Sequence, residues 1–419
     1  MPSEKGGFVK SLIFVFIVAV GFRTQASIEV LFHPHDPTLE KIAALISEAQ
    51  HSVDIAMYNM DTTNRSPVIV ALGSEPVQAR IKTQSLKIRL IFEGYGTEAE
   101  NQKKMSELEA LGVDVRFLGR SVKMHHKFAV IDATRDGKSV NPEAQVITGS
   151  ANWSLSSYRN YNENILFIKG EPESTTRFYL EFVRLWNASK EFGSQDPTPL
   201  TSLTAINEAE IEIYFNSPRR LEPASREPSN LTAQIVRLID GARFSIDVAS
   251  TRIRLVPILE SVLRAADRGV LVKLLISQDD FRDIQLRSKW LLGHKNIEVR
   301  VKFYSLRPAD YLFFQMHNKF MLVDDEAVLT GSFNWSSSSE NNHFENLVEL
   351  RGAKAQDSLT QFKSEFQNLW AMNRDQLETL KQSFAKASEG GKIPKCSFKP
   401  TVFTIDEITA LLAEFPKCG

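Results

Sequence analysis

Two histidines, two lysines and two asparagines recur in this 419-residue chain at spacings suited to phosphate chemistry. His125 and Lys127 are followed by Asp132, and His317 and Lys319 by Asp324, so an H-x-K-x(4)-D pattern occurs twice. On an extended strand, residues two apart project to the same face, which puts each histidine beside its lysine. The lysine offers a compact positive charge to a phosphate oxygen, and a histidine titrating near neutrality can attack phosphorus or donate a proton. Downstream, Gly149-Ser150-Ala151-Asn152-Trp153 matches Gly331-Ser332-Phe333-Asn334-Trp335, and each block precedes a carboxylate, Glu163 or Glu345. Neutral donors from Ser150, Asn152, Ser332 and Asn334 would complete a clamp around a phosphate ester.

The elements that position these residues are duplicated too. His125 and His317 are 192 positions apart, whereas Gly149 and Gly331, like Glu163 and Glu345, are 182 apart. The first half therefore carries an insertion between its two blocks, read as a lengthened loop around Asp136, Gly137, Asn141 and Pro142. Ser52-Val53-Asp54-Ile55-Ala56 answers Ser245-Ile246-Asp247-Val248-Ala249 as a repeated strand. Phe178, Phe182, Leu185 and Trp186 match Phe362, Phe366, Leu369 and Trp370 in spacing, which places each set on one helix face turned to the core. Short β-branched runs alternate with amphipathic helices throughout, an α/β pattern. Trp153 and Trp335 are expected to pack beneath the site. Tyr311 to Phe314 are expected as a buried strand or loop anchor, and His126, His51, His294 and His343 at the surface, with His343 near Glu345. His33 and His35, beside Pro34 and Pro37, are expected in a loop rather than on a metal, since no further ligands complete the set.

The paired blocks resemble the signature of the phospholipase D superfamily, H-x-K-x(4)-D followed by G-S-x-N. The resemblance runs from about Ile28 to Leu350, in two copies. It implies two tandem α/β domains, each a mixed β-sheet flanked by helices, packed as a pseudo-two-fold pair around one site. It also implies a monomer, since chains with a single copy dimerise to complete the site. By the same resemblance His125 is the nucleophile that forms a phosphohistidine and His317 the general acid. Lys127, Lys319, Asn152 and Asn334 bind the phosphoryl oxygens, Glu345 orients His125 and Glu163 orients His317 across the interface, and Asp132 and Asp324 are structural. No cofactor and no metal are implied. A binding protein without catalysis would be favoured by loss of a histidine or lysine from one block, and neither is lost.

Residues 1–26 pair Lys5 and Lys10 with an apolar run from Leu12 to Val20 and end on Thr24-Gln25-Ala26, which favours a signal peptide over a retained anchor and so a secreted or periplasmic protein. Without them the net charge moves from −1 to −3, because Lys5, Lys10, Arg23 and Glu4 leave. A near-neutral surface gives little general pull on nucleic acid, so a phospholipid substrate with transient membrane-surface contact is favoured over DNA or RNA, and over a cardiolipin synthase-like phosphatidyl transfer. The expected domains are 27–192 and 207–385, with a linker at 193–206 and a tail at 386–419. Cys396 and Cys418 in that tail would form a disulfide in an exported chain. They flank a short helix from Ile405 to Glu414, with Thr404 and Glu407 at capping-box spacing.

Overall fold

A computed structural model describes residues 26–94, 97–118, 122–133, 141, 143–191, 210–216, 218, 221, 229–306, 313–376 and 397–414, with a few positions between 378 and 385. The expected signal peptide up to residue 25, the linker at 193–206, Asp136, Gly137 and Pro142 of the insertion, and both cysteines lie outside the described residues.

The first half forms strands β1 (Ser27–His33), β2 (Ser52–Met57), β3 (Lys87–Phe92), β4 (Asp114–Arg116), β5 (Lys123–Met124), β6 (Lys127–Ile131), β7 (Gln145–Gly149) and β8 (Glu163–Lys169). The second forms β9 (Ile211–Phe215), β10 (Ser245–Ser250), β11 (Leu271–Ser277), β12 (Ile297–Ser305), β13 (Lys319–Val323), β14 (Ala327–Gly331), β15 (His343–Phe344) and β16 (Asn346–Arg351), then β17 (Ser397–Thr404). The first sheet runs β1-β8-β7-β6-β2-β3-β4, and the second repeats that order as β9-β16-β14-β13-β10-β11-β12, with β17 added at the edge. Both are mixed sheets: β2, β3 and β4 are parallel, as are β10, β11 and β12, and the remaining strands of the repeated order pair antiparallel. Parallel neighbours need long crossovers, supplied here by amphipathic helices such as Val256–Asp267, between β10 and β11.

The sheet faces toward the middle of the molecule share one apolar core. Phe128, Phe178 and Phe182 from the first half meet Phe215, Phe320 and Phe362 from the second in a single buried cluster. The helix Pro172–Ala188 packs on β9 and the helix Gln356–Trp370 packs on β1, so each half lays its matched aromatic helix on the other half's edge strand. Phe362 meets Phe32 edge to face at 5.2 Å across this boundary. Full burial of such a ring contributes about 1.5–3 kcal/mol. The matched tryptophans close the helices in the same way: Arg116 lies 4.3 Å from the Trp186 ring and Arg300 4.3 Å from the Trp370 ring.

The expected tail is not separate from the second domain. β17 pairs antiparallel with β12, and the helix Ile405–Glu414 packs Ile408 and Leu411 into the second half's outer core. The Thr404 backbone N–H donates to Glu407 Oε2 at 2.7 Å and the Glu407 N–H to Thr404 Oγ1 at 3.3 Å, which forms the capping box. Phe313 and Phe314 are exposed rather than buried, while Tyr311 and Leu312 lie outside the described residues.

Candidate active site

The site is assembled by backbone exchange between the halves. β15 pairs with β5, placing His343 opposite Lys123 and Phe344 opposite Met124. The equivalent contact on the other side is a bridge between Asn162 and Met316. The His125 N–H donates to the Phe344 carbonyl at 3.0 Å, and the His317 N–H to the Asn162 carbonyl at 3.0 Å. Each histidine is thus fixed by the residue that precedes the other half's glutamate. As a result Glu345 Oε1 lies 2.7 Å from His125 Nδ1, and Glu163 Oε1 lies 2.7 Å from His317 Nδ1.

Both lysines fold back over their histidines. Lys127 Nζ donates to the His125 carbonyl at 2.6 Å, and Lys319 Nζ donates to the His317 carbonyl and to Thr251 Oγ1 at 3.3 Å. Burial pushes Lys127 down to about 7, against the pull of Glu345 and with the push of Lys319. It pushes Lys319 down to about 8, against Glu163 and Glu345. Each lysine is thus in the electrostatic field of both carboxylates. Burial also opposes ionisation of Glu345 and Glu163, but the adjacent histidines and lysines outweigh it and hold both carboxylates below their ordinary range. Burial holds both histidines below their ordinary value against the pull of the glutamates, with Lys127 and His343 adding to the effect at His125 and Lys319 and Lys127 at His317. The ground state is therefore a carboxylate accepting Nδ1–H from a neutral ring, which leaves Nε2 with a free lone pair.

The asparagines and serines differ in what they face. The side-chain oxygens of Asn152 and Asn334 are buried without a hydrogen-bond partner among the described residues. A buried amide in that state is a receptor for something that brings its own polar atoms. Ser150 and Ser332, expected as donors to the ester, are fully buried, and their Oγ atoms accept the N–H groups of Asn164 and Asn346 at 3.0 Å. They brace the floor of the site instead of lining it. Gly149 and Gly331 allow this bracing, because a Cβ at either would sit 2.2 Å from the carbonyl oxygen of Asn164 or Asn346. Trp153 and Trp335 lie buried next in the chain.

Asp132 and Asp324 act at the far end of β6 and β13, about 17 Å along the strand from the lysines. Asp132 accepts the N–H groups of Gln50, His51 and Ser52 at 3.0, 2.7 and 3.0 Å, and Asp324 those of Arg243, Phe244 and Ser245 at 2.8, 2.7 and 2.9 Å. They pin the start of β2 and β10 to the strand that carries the histidine and lysine.

Several residues of the site have no place in the sequence reading. Asn164 donates to Asn318 Oδ1 at 2.8 Å and accepts from Thr330 at 2.7 Å, while Asn346 donates to Thr148 at 3.1 Å and contacts His126 at 3.3 Å. These contacts cross the interface in both directions. His126 is fully buried, not superficial, and its other nitrogen lies 3.2 Å from Glu181, which Arg184 grips through two 2.7 Å bonds. The signal for them was present: Thr-Gly-Ser and Glu-Asn repeat at the same 182-residue offset as the glycines. His33 is buried behind Glu163, bonded to Thr38 and the Ser157 carbonyl, and burial drives it down to about 4 despite the nearby Glu163. His343 lines the cleft, its ring 4.9 Å from that of His125. With Glu345 and His125 it forms the one group among the described residues with the ligand types and spacing for a metal ion.

Comparison with known proteins identifies the family and the fold. A family model described as "Cardiolipin synthase, PLD-like domain" matches residues 42–186 and 235–370, most of both halves. The chain belongs to the phospholipase D superfamily. A mitochondrial cardiolipin hydrolase of Xenopus tropicalis is 29% identical over 154 residues, 36% of this chain and 63% of that protein. The chain thus spans less than two thirds of that relative's length. Among solved structures, phosphatidylserine synthase from Haemophilus influenzae Rd KW20 shares the fold with a TM-score of 0.58 at 12% identity, covering 87% of this chain and 94% of that one. Polyphosphate kinase from Porphyromonas gingivalis does so at 0.52 and 13% identity, covering 80% and 46%. Two matched segments in one chain account for the repeated strand order and the crossed glutamates of this superfamily member.

Proposed function

We propose that the protein is a phosphodiesterase that hydrolyses phospholipids through a covalent phosphohistidine. The observation that carries this reading is the crossed pairing, in which each half's glutamate holds the other half's histidine with both lysines between them. His125 Nε2 attacks phosphorus, and a P–N bond forms as the P–O bond to the leaving alcohol breaks. With the anionic substrate bound, His317 takes a proton from solvent onto Nε2, its charged form supported by Glu163 at 2.7 Å, and gives that proton to the departing oxygen. His317 then accepts a proton from water, the hydroxide attacks phosphorus, and the P–N bond breaks. Lys127, Lys319, Asn152 and Asn334 hold the non-bridging oxygens as charge develops. His125 is taken as nucleophile, and His317 as acid, from the resemblance of their motifs to the superfamily signature. The reaction draws on no metal in this scheme, and the crossed site supports a monomer.

The lipid reading is supported by the near-neutral composition, by the similarity to mitochondrial cardiolipin hydrolases, and by the charge beside His317. Arg252 there is paired with Asp279, and Arg254 with Asp280 and Asp283, so among the described residues these two guanidinium groups beside His317 already have acidic partners. Nucleic-acid binding draws most of its affinity from unpaired basic groups. The N-terminal Lys5, Lys10 and apolar run support export, and no helix of the described residues is long and apolar enough to cross a membrane. The test is a side-by-side assay on phosphatidylcholine, phosphatidylglycerol, single-stranded DNA and RNA, with His125→Ala as control. Release of headgroup, absent in the variant, is expected. Cleavage of DNA or RNA alone, lost in the same variant, would replace the substrate class while keeping the chemistry.

A further inference from the structure

The ends of the cleft are related by pseudo-symmetry, yet one carries an additional imidazole. His343 and Tyr161 occupy equivalent positions, two residues before Glu345 and Glu163. The Tyr161 ring is centred 5.7 Å from His317, and the His343 ring 4.9 Å from His125. Among the described residues, only the first of these ends brings two imidazoles and a carboxylate within ligating distance of one another; at the other end His33 lies behind Glu163, bonded to Thr38 and the Ser157 carbonyl. His343 Nδ1 lies 3.4 Å from Glu345 Oε1, His125 Nδ1 lies 2.7 Å from it, and the ligand atoms of all three residues lie within 4.8 Å of one another.

We propose that His125, His343 and Glu345 form a binding site for a divalent transition metal, with zinc as the best-fitting ion, and that occupation of this site switches the enzyme off. A tetrahedral ion with bonds of 2.0–2.1 Å has ligand atoms about 3.3 Å apart. One edge of the triangle is already at that length, the hydrogen-bonded edge must open slightly, and the third must close. All three residues sit where β5 and β15 meet, so the ion would join the halves at a place already fixed by backbone pairing. Two imidazoles with one carboxylate suit zinc and its transition-metal neighbours, whereas magnesium prefers an all-oxygen shell. The fourth position is left for water or a phosphate oxygen.

Inhibition follows from the tautomer. In the resting site Nδ1–H of His125 donates to Glu345, and Nε2 keeps the lone pair that attacks phosphorus. A metal on Nδ1 displaces that proton, and the neutral ring then carries its proton on Nε2. The ring nitrogen facing the substrate becomes a donor, and no P–N bond can form. The ion also takes Glu345 away from its orienting role. The binding claim stands on geometry alone; the inhibition claim rests on His125 being the nucleophile.

Equilibrium dialysis of the full-length mature protein against zinc chloride, without substrate, tests the site independently of any activity. Wild type is expected to bind one ion that His343→Tyr loses or binds at least tenfold more weakly, with magnesium failing to compete. Tyr161→His, which supplies the missing imidazole beside Glu163 and His317, is expected to raise the stoichiometry to two. Thermal unfolding in metal-free buffer checks that both variants are folded. In a parallel assay on bis(4-nitrophenyl) phosphate, each protein is compared with its own metal-free rate. Zinc is expected to suppress wild type reversibly, with the rate restored by chelator, and to require at least tenfold higher concentration against His343→Tyr. Equal zinc affinity in wild type and His343→Tyr would overturn the site. A bound ion at that site that leaves the rate unchanged, or raises it, would overturn the switch while leaving the site in place.

Discussion

The His125 end and the His317 end of the cleft contain the same histidine, lysine, asparagine and crossed glutamate but differ in what surrounds them. Tyr58 and His343 flank His125, and Lys127 Nζ lies 5.1 Å from the Tyr58 ring. Thr251 and Tyr161 take the equivalent places beside His317, so that Lys319 has a hydroxyl to donate to. The difference extends deeper. Glu181 locks His126 and Arg184 in the first half, while its counterpart Glu365 faces buried Lys302 and is raised by burial to about 7. The histidines, lysines, asparagines and crossed glutamates recur at both ends while the groups behind them differ, and on the proposed mechanism this difference accompanies the division of nucleophile and acid between the two histidines.

The strongest way to break this comparison is to remove each histidine. His125→Ala and His317→Ala should each lower kcat at least about 10³-fold, because members of one catalytic unit are not additive. Half of wild-type activity in either variant would mean two independent sites. A substrate with a 4-nitrophenol leaving group, which needs little proton donation, should separate them: His317→Ala keeps a burst of nitrophenol and His125→Ala has none.

Glu345→Gln and Glu163→Gln should each cost about 10²- to 10⁴-fold in kcat, since an amide in the carboxylate's place permits the wrong ring tautomer. The loss should fall on acylation-like phosphorylation for Glu345 and on leaving-group protonation for Glu163. Equal sensitivity of both variants to leaving-group pKa would remove the specialisation.

The pH dependence sharpens the comparison at the lysines. Lys319 is depressed from its ordinary value to about 8, so its ammonium is present below that pH and lost above it. Affinity for a non-hydrolysable phosphodiester, whose own charge is constant in this range, should fall as pH rises from 7 to 9, by roughly tenfold per unit once past the pKa. An affinity that holds to pH 10 would place Lys319 outside the phosphate site.

Smaller effects are expected at the framework. Gly149→Ala and Gly331→Ala push a methyl against a neighbouring carbonyl and should destabilise by about 2–4 kcal/mol in denaturant titration. Asp132→Ala and Asp324→Ala should cost about 1–2 kcal/mol each through lost backbone partners, with kcat near wild type in the folded protein. A loss of turnover without loss of stability would show that these aspartates do more than hold the strand.

The contrast between ends also shows what was legible in the sequence. His125, His317, both lysines, both asparagines and the repeat offsets stand out in the sequence because each recurs in a matched block, and the structure pairs each histidine with its lysine and with the other half's glutamate. The division into two repeated α/β halves followed from the same periodicity, whereas the strand order within each sheet is given by the structure. Ser150 and Ser332 were misplaced because a hydroxyl beside a catalytic block reads as a donor to substrate, while its actual partners, the backbone N–H groups of Asn164 and Asn346, leave no trace in composition. The role of β17 was hidden because its partner β12 lies about a hundred residues earlier and a strand edge is completed by hydrogen bonds, which any side-chain pattern permits. His126 defied its expected exposure because its partners Asn346 and Glu181 come from distant segments.

The central claim is that two halves make one site with one nucleophile. Mass spectrometry of His317→Ala, acid-sparing quenched after reaction with bis(4-nitrophenyl) phosphate, tests it most directly. One phosphoryl adduct per chain, located on His125, is the expected result. Absence of an adduct on His125, with turnover still dependent on that residue, would contradict the account.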